Sequence, residues 1–212
     1  MTEAEVKVEK KDGYKKTKLG LIPIDWKLIK LSDVISLESG QHLSPDEYNN
    51  DGEGVPYFTG PTDFCNSIDK VTKWSEEASK YAESGDILIT VKGSGVGSLF
   101  ISDLNKIAIG RQLMAIKPQK MDRGFLYNFL KQRSQVFEIL ASGNMIPGLS
   151  RKDILSFKTL YPPKEEQTKI AEIFSVWDEA ISKTGKLIQA KKRYKKGLMQ
   201  RLLSGKVRFP EF

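Results

Sequence analysis

Apolar positions fall in two different rhythms along this chain. Between about 18 and 160 they come in short runs: Val55 to Phe58, Ile87 to Val91, Leu99 to Ile101 and Leu113 to Ile116. Gly, Pro, Asn and Asp punctuate them, and short runs bounded in this way predict strands. Helical spacing is predicted over 31–38, over about 75–83 and most clearly over 123–141. In the last segment Phe125, Leu126, Phe129, Leu130, Val136, Phe137 and Leu140 recur at steps of three and four. The expected class is α/β, a mixed-sheet domain over 18–160. Residues 1–17 are polar and lysine-rich, broken by Gly13, and predict a flexible lead-in.

The second rhythm fills 161–206. Pro162 and Pro163 suit the start of a helix, where a missing N–H leaves nothing unpaired, and Glu165 and Glu166 follow where the helix dipole favours anions. Ile170, Ile173, Trp177, Ala180, Thr184, Leu187, Tyr194 and Leu198 then form one apolar row, flanked by Phe174, Ile181, Ile188 and Leu202. Steps of three and four held this long predict a coiled-coil seam, imperfect at Lys191 and Arg201. Gly205 is the expected stop, with 207–212 a short tail. Such a helix runs about 60 Å at 1.5 Å per residue, more than one small domain covers. Its stripe either folds back on its own domain or meets a partner helix.

Charge favours the partner. Over 164–182 the helix carries Glu165, Glu166, Glu172, Asp178 and Glu179 against Lys164 and Lys169. From Lys183 to Arg208 it carries ten basic residues and no Asp or Glu. Two antiparallel copies would lay acidic against basic halves, whereas parallel copies would lay like against like. Thr184 and Gly185 fall at the midpoint, where a two-fold axis would bring backbones close; glycine there costs about 1 kcal/mol of helix propensity. The seam is therefore assigned to Ile170, Phe174, Trp177, Ile181, Thr184, Gly185, Ile188, Leu198 and Leu202.

Composition narrows the chemistry. The 39% hydrophobic content supports a core, and the net charge of +7 is concentrated in that basic run. A basic run is either a solvated helix face or a surface for a polyanion. No apolar run is long enough for a membrane span, and Met1 to Lys18 lacks the apolar core of a secretory signal. The single cysteine, Cys65, fits a reducing cytoplasm, and with the single histidine, His42, it is too little for a zinc site. Cys65 reads as a small core filler. No metal or other cofactor is expected.

Catalytic motifs are missing. Tyr161-Pro162-Pro163-Lys164 superficially resembles the amino-methyltransferase motif, but the Asn or Asp before the prolines is absent and Lys follows them. Gly93, Gly95 and Gly97 lack dinucleotide-binding spacing and read as a turn between strands; Gly205-Lys206 lacks the rest of a phosphate-binding loop. After Pro45-Asp46 no nuclease-type carboxylate–x–Lys pair follows. No catalytic residue is assigned.

The segment from Leu149, LSRKDILSFKTLYPPKEEQTKIAEIFSVWDEAI, followed by KKRYKKGLMQRLLSGKVR, resembles the helical region of type I restriction-modification specificity subunits. LGLIPIDWKLIKLSDV, with Pro23, Trp26 and Leu31, resembles the opening of their target recognition domains, as do Gly85 to Ile89 and the strand at Gln112. Full-length members of that family carry two recognition domains and two helical regions; this chain has one of each and reads as a half-length form. The resemblance implies a non-catalytic, cytoplasmic reader of double-stranded DNA. Its helix would serve as a spacer between recognition domains and a dock for methyltransferase subunits. Those subunits would bring S-adenosylmethionine and adenine methylation, and an ATP-dependent restriction subunit would bring cleavage. With a second copy bound through an antiparallel helix pair, the expected site is an interrupted palindrome. A stand-alone methyltransferase or nuclease, and a coiled-coil adaptor with no DNA role, are the alternatives.

Base edges are read by Arg, Lys, Asn and Gln on exposed elements. The candidates are Gln41 and His42 after Gly40, Lys92 and Ser94 around the glycines after 87–91, Arg111 and Gln112 after Gly110, and Asn144 in the Ser142-Gly143-Asn144 turn. Each is equally compatible with a solvated loop.

Overall fold

The computed structural model describes residues 12–93, 95–143 and 148–211. It divides into two units, one running through Ala171 and one from Glu172 onward. In the first, β1 (Tyr14–Thr17) and β2 (Gly20–Pro23) form an antiparallel hairpin, so the end of the expected flexible lead-in is paired, while its residues 1–11 lie outside the described residues. Then follow β3 (Lys27–Lys30), β4 (Ile35–Ser39), β5 (Val55–Phe58), β6 (Trp74–Ser75), β7 (Tyr81–Glu83), β8 (Ile87–Thr90), β9 (Leu99–Ile101), β10 (Lys106–Ile109) and β11 (Leu113–Pro118). Helices α1 (Arg123–Gln132), α2 (Ser134–Ser142) and α3 (Arg151–Leu155) lead to β12 (Lys158–Tyr161) and α4 (Lys164–Leu203).

Two four-stranded sheets carry the domain, in the orders β4-β11-β8-β9 and β6-β5-β10-β7, and β12 closes back on β3. The first sheet is antiparallel throughout; the second contains one parallel pair, β5 with β10. Strand alternation sorts the apolar runs between two cores. Ile87, Ile89, Met114 and Ile116 face a core completed by Leu126, Leu130, Phe137 and Ile154 of the helices. Leu88, Leu113 and Ala115 face the opposite core, with Phe58, Ala82, Ile107 and Ile109 of the second sheet. Strands buried on both faces read as continuous apolar runs, as these do. Cys65 packs half-buried against the second core.

Two helix expectations need correction, and the third, over 123–141, is helical as expected but in two pieces. Over 31–38 only Leu31–Asp33 is helical, as a single 3-10 turn; Ile35 and Leu37 alternate with Ser36 and Glu38, and β4 pairs with β11. Over 75–83 the chain forms the end of β6 and then β7, because Tyr81–Glu83 find partners in Lys106–Ala108. The 123–141 pattern is two helices, broken at Arg133. In the second, Phe137 and Ala141 are buried, which turns the preceding positions, Val136 and Leu140, toward solvent.

The start of α4 is fastened to the domain. Asp122 caps α1 by accepting the Phe125 N–H, and its own N–H donates to Gln167 Oε1 at 2.7 Å. Gln167 Nε2 donates to the Pro162 carbonyl at 2.8 Å, and the side chain is fully buried. Trp26 Nε1 donates to Glu166 Oε2 at 2.8 Å, and its ring meets Phe125 edge-on. Ile170 and Ala171 pack half-buried against the first core, so Ile170 spends part of its apolar surface there.

The second unit is helix to Leu203 and is closed by Gly205. That residue's left-handed φ of +69° suits glycine, and its N–H donates to the Leu202 carbonyl. Among the described residues no helix is long and apolar enough to cross a membrane.

Candidate nucleic-acid interface

Four loops meet at the Gly110 turn. The Leu113 N–H donates to the Gly110 carbonyl, which turns β10 directly into β11. Gly40 lies flat against this turn: a Cβ there would sit 2.0 Å from the Gly110 carbonyl oxygen, so neither backbone leaves room for a side chain between them. Gln41 then bridges to Gly110, its N–H donating to the Ile109 carbonyl. From β8, the Val91 N–H donates to the Gln112 carbonyl at 2.7 Å, which brings Lys92 and Gly93 alongside. The parallel pairing of β5 with β10 brings the fourth loop, 59–63, where the Gly110 N–H donates to the Phe58 carbonyl.

Thus Gln41, Lys92, Arg111 and Gln112, far apart in sequence, belong to one loop cluster. His42 is exposed beside Gln41, and Lys92 and Arg111 are exposed. Ser94 and Asn144 lie outside the described residues. Gln41 and Gln112 are in contrasting environments. Gln41 Oε1 accepts from both the N–H and the hydroxyl of Ser79, at 2.8 and 2.7 Å, so half of its amide is committed within the protein. The carboxamide of Gln112 lies beside Gly60 and Gly93.

The 59–63 loop was not singled out from the sequence. Asp63 Oδ2 accepts from the N–H and the hydroxyl of Thr59, at 2.6 and 2.7 Å, and Lys73 Nζ donates to that hydroxyl. Pro61 lies against Gly95, where a Cβ would come within 2.5 Å of its ring. A Thr-Gly-Pro-Thr-Asp run is turn chemistry and was legible as such; its place in the cluster follows only from sheet order. Burial pushes the Tyr57 phenol above its ordinary pKa, opposed by a hydrogen bond with the Leu43 backbone and by the charge of Arg111.

Gly93, Gly95, Val96, Ser98, Glu138, Ala141, Ser142 and Gly148 line an open cleft of about 410 Å³. Its one ionisable lining residue among the described residues, Glu138, is acidic, which disfavours a phosphate. Among the described residues no group of His, Cys, Asp and Glu could hold a metal ion.

The architecture is that of a mixed-sheet domain with a clustered loop end, followed by a long exposed helix. A family model described as the type I restriction modification DNA specificity domain matches residues 23–192, and the chain belongs to that family. The chain assigned as the MjaX specificity subunit of a type I restriction enzyme in Methanocaldococcus jannaschii is 33% identical over 200 residues, covering 92% of this chain and 47% of that one. A chain solved in work on complex assembly and conformational transition of the type I R-M system is 27% identical with a TM-score of 0.69, covering 86% of this chain and 46% of that one. The HsdS subunit from Thermoanaerobacter tengcongensis is 26% identical with a TM-score of 0.64, covering 85% of this chain and 45% of that one. The chain spans about half the length of the relatives it matches.

Proposed function

We propose that this chain reads DNA sequence for a type I restriction-modification assembly, directing methyltransferase subunits, and an ATP-dependent restriction subunit, to the site it selects. The 18–160 domain is the reader and 161–206 the spacer and dimerisation element. The observation that carries the reading role is the loop cluster, which gathers Lys92, Arg111 and Gln112 at one place in a chain of the DNA specificity family. Arg and Lys suit phosphates and guanine edges, and Gln suits adenine.

The chain pairs with a second copy through antiparallel α4 helices. Trp177, Ile181 and Leu187 are each more than half exposed, and Phe174 and Ile188 nearly half. Gly185 supports the crossing point: a Cβ there meets nothing within 4 Å, so no contact among the described residues calls for glycine in mid-helix. With the axis between Thr184 and Gly185, Ile181 of one copy lies near Ile188 of the other, and Asp178 near Lys191. Two identical readers related by a two-fold axis take identical half-sites in opposite orientation.

Salt dependence of DNA binding separates this reading from that of a coiled-coil adaptor with no DNA role. Affinity for duplex DNA should fall on the order of 100-fold between 50 and 200 mM salt for about four neutralised phosphates. A coiled-coil adaptor would not bind duplex DNA even at the lower salt.

A further inference from the structure

The two glutamines of the loop cluster differ in one respect that bears on specificity. Gln41 is held by two hydrogen bonds from Ser79, as expected of a side chain that ties loops together. Gln112 is half-buried, yet its carboxamide makes no hydrogen bond among the described residues. The buried side-chain polar atoms without a partner include neither atom of this amide, so it meets solvent and can exchange water for a base edge. Its neighbours leave it open. A Cβ at Gly60 would stand 3.1 Å from Gln112 Oε1, and one at Gly93 would stand 3.6 Å away. At Gly60 even a methyl group would press on the amide oxygen, whereas at Gly93, held as glycine by its φ of +88°, it would only touch it.

The backbone beneath Gln112 is fixed. Its carbonyl accepts the Val91 N–H, and the next residue, Leu113, is fully buried and closes the Gly110 turn. The side chain therefore has a rigid base, an uncovered amide and the exposed Arg111 beside it. A carboxamide offers one donor and one acceptor side by side, which matches the N7 acceptor and N6 donor of adenine in the major groove.

We infer that Gln112 is a specificity-determining residue that reads an adenine in each half-site by a bidentate hydrogen-bonded pair. This inference rests on the DNA-reading role proposed above. Exposed Arg111 and Lys92 supply positioning contacts to phosphate, and Gln41 holds the loop that frames them.

The test is selection from a randomised duplex library by the purified full chain, with bound DNA sequenced at each round. The unaltered chain is expected to enrich a motif with an invariant adenine in each half. Gln112→Ala should enrich the same motif with that one position relaxed, and should bind the original site roughly 5- to 150-fold more weakly, the range for one bidentate base contact. Gln112→Glu keeps the shape but only accepts hydrogen bonds, and should shift preference at that position from adenine toward cytosine. Circular dichroism of both variants separates a loss of reading from a loss of fold, and Gln112→Glu still decides if Gln112→Ala misfolds. An unchanged motif from a folded variant, or a loss of affinity uniform across all sequences, overturns the role of Gln112 alone. No enriched motif from the unaltered chain overturns the DNA-reading role, and the inference with it.

Discussion

Replacing Ile181 and Ile188 together by Asp should turn a dimer into a monomer at micromolar concentration without lowering the melting temperature of the 18–160 domain. In the single chain both side chains are solvent-exposed, at 67% and 48%, so neither supports the domain's core. In the paired helices they would meet across the two-fold axis, and the substitution would put four carboxylates into an apolar seam. Each unpaired buried charge costs on the order of several kcal/mol, enough to raise the dissociation constant by well over 100-fold. Sedimentation velocity at several concentrations reads the result. A monomeric unaltered chain would contradict the pairing. So would a double variant that stays dimeric.

The second large effect belongs to Gln167. Replacing it with Leu keeps the volume but orphans two groups, the Asp122 N–H and the Pro162 carbonyl. Each orphaned group costs about 1–3 kcal/mol. For a chain of this length that corresponds to roughly 2–4 °C of Tm per kcal/mol. Thr168→Ala, one residue on, removes only an exposed bond to the Lys164 carbonyl and should stay within about 0.5 kcal/mol. Thermal unfolding of the two variants side by side checks the contrast. Equal melting temperatures would show that the Gln167 clasp does not stabilise the junction. Pro162 and Gln167 also lie in the run on which the family resemblance rests, and the structure gives them a local reason: they fasten the helix base to α1.

The strands at 55–58, 87–90, 99–101 and 113–118 were legible because their apolar runs are short, dense and bounded by turn residues. The 31–38 segment misled because Leu31 and Val34 stand three apart, whereas the pairing of Ile35–Ser39 with Met114–Pro118 is long-range and leaves no local mark. In 75–83 the helix-forming Glu76, Glu77 and Lys80 outweighed Tyr81–Glu83, whose partners lie more than twenty residues away at Lys106–Ala108. The same divide runs through the loop cluster. Gly40, Gly93 and Gly110 marked turns, and their neighbours were picked out accordingly. The 59–63 loop was missed because only the parallel β5–β10 pairing carries it to Gly110. The different situations of Gln41 and Gln112 were not legible at all, since they depend on where Ser79, Gly60 and Gly93 fall in space.

Two identical readers, held apart by antiparallel helices, would select two identical half-sites. A forty-residue helix is about 60 Å long at 1.5 Å per residue, and one DNA turn spans about 34 Å, so the half-site centres should lie a turn or slightly more apart. Selection by the unaltered chain from a randomised duplex library, read by sequencing, measures this directly. The expected product is an interrupted palindrome, two inverted copies of one short sequence around an unread gap of fixed length. A single enriched half-site without its inverted copy, or two different halves, would contradict the account.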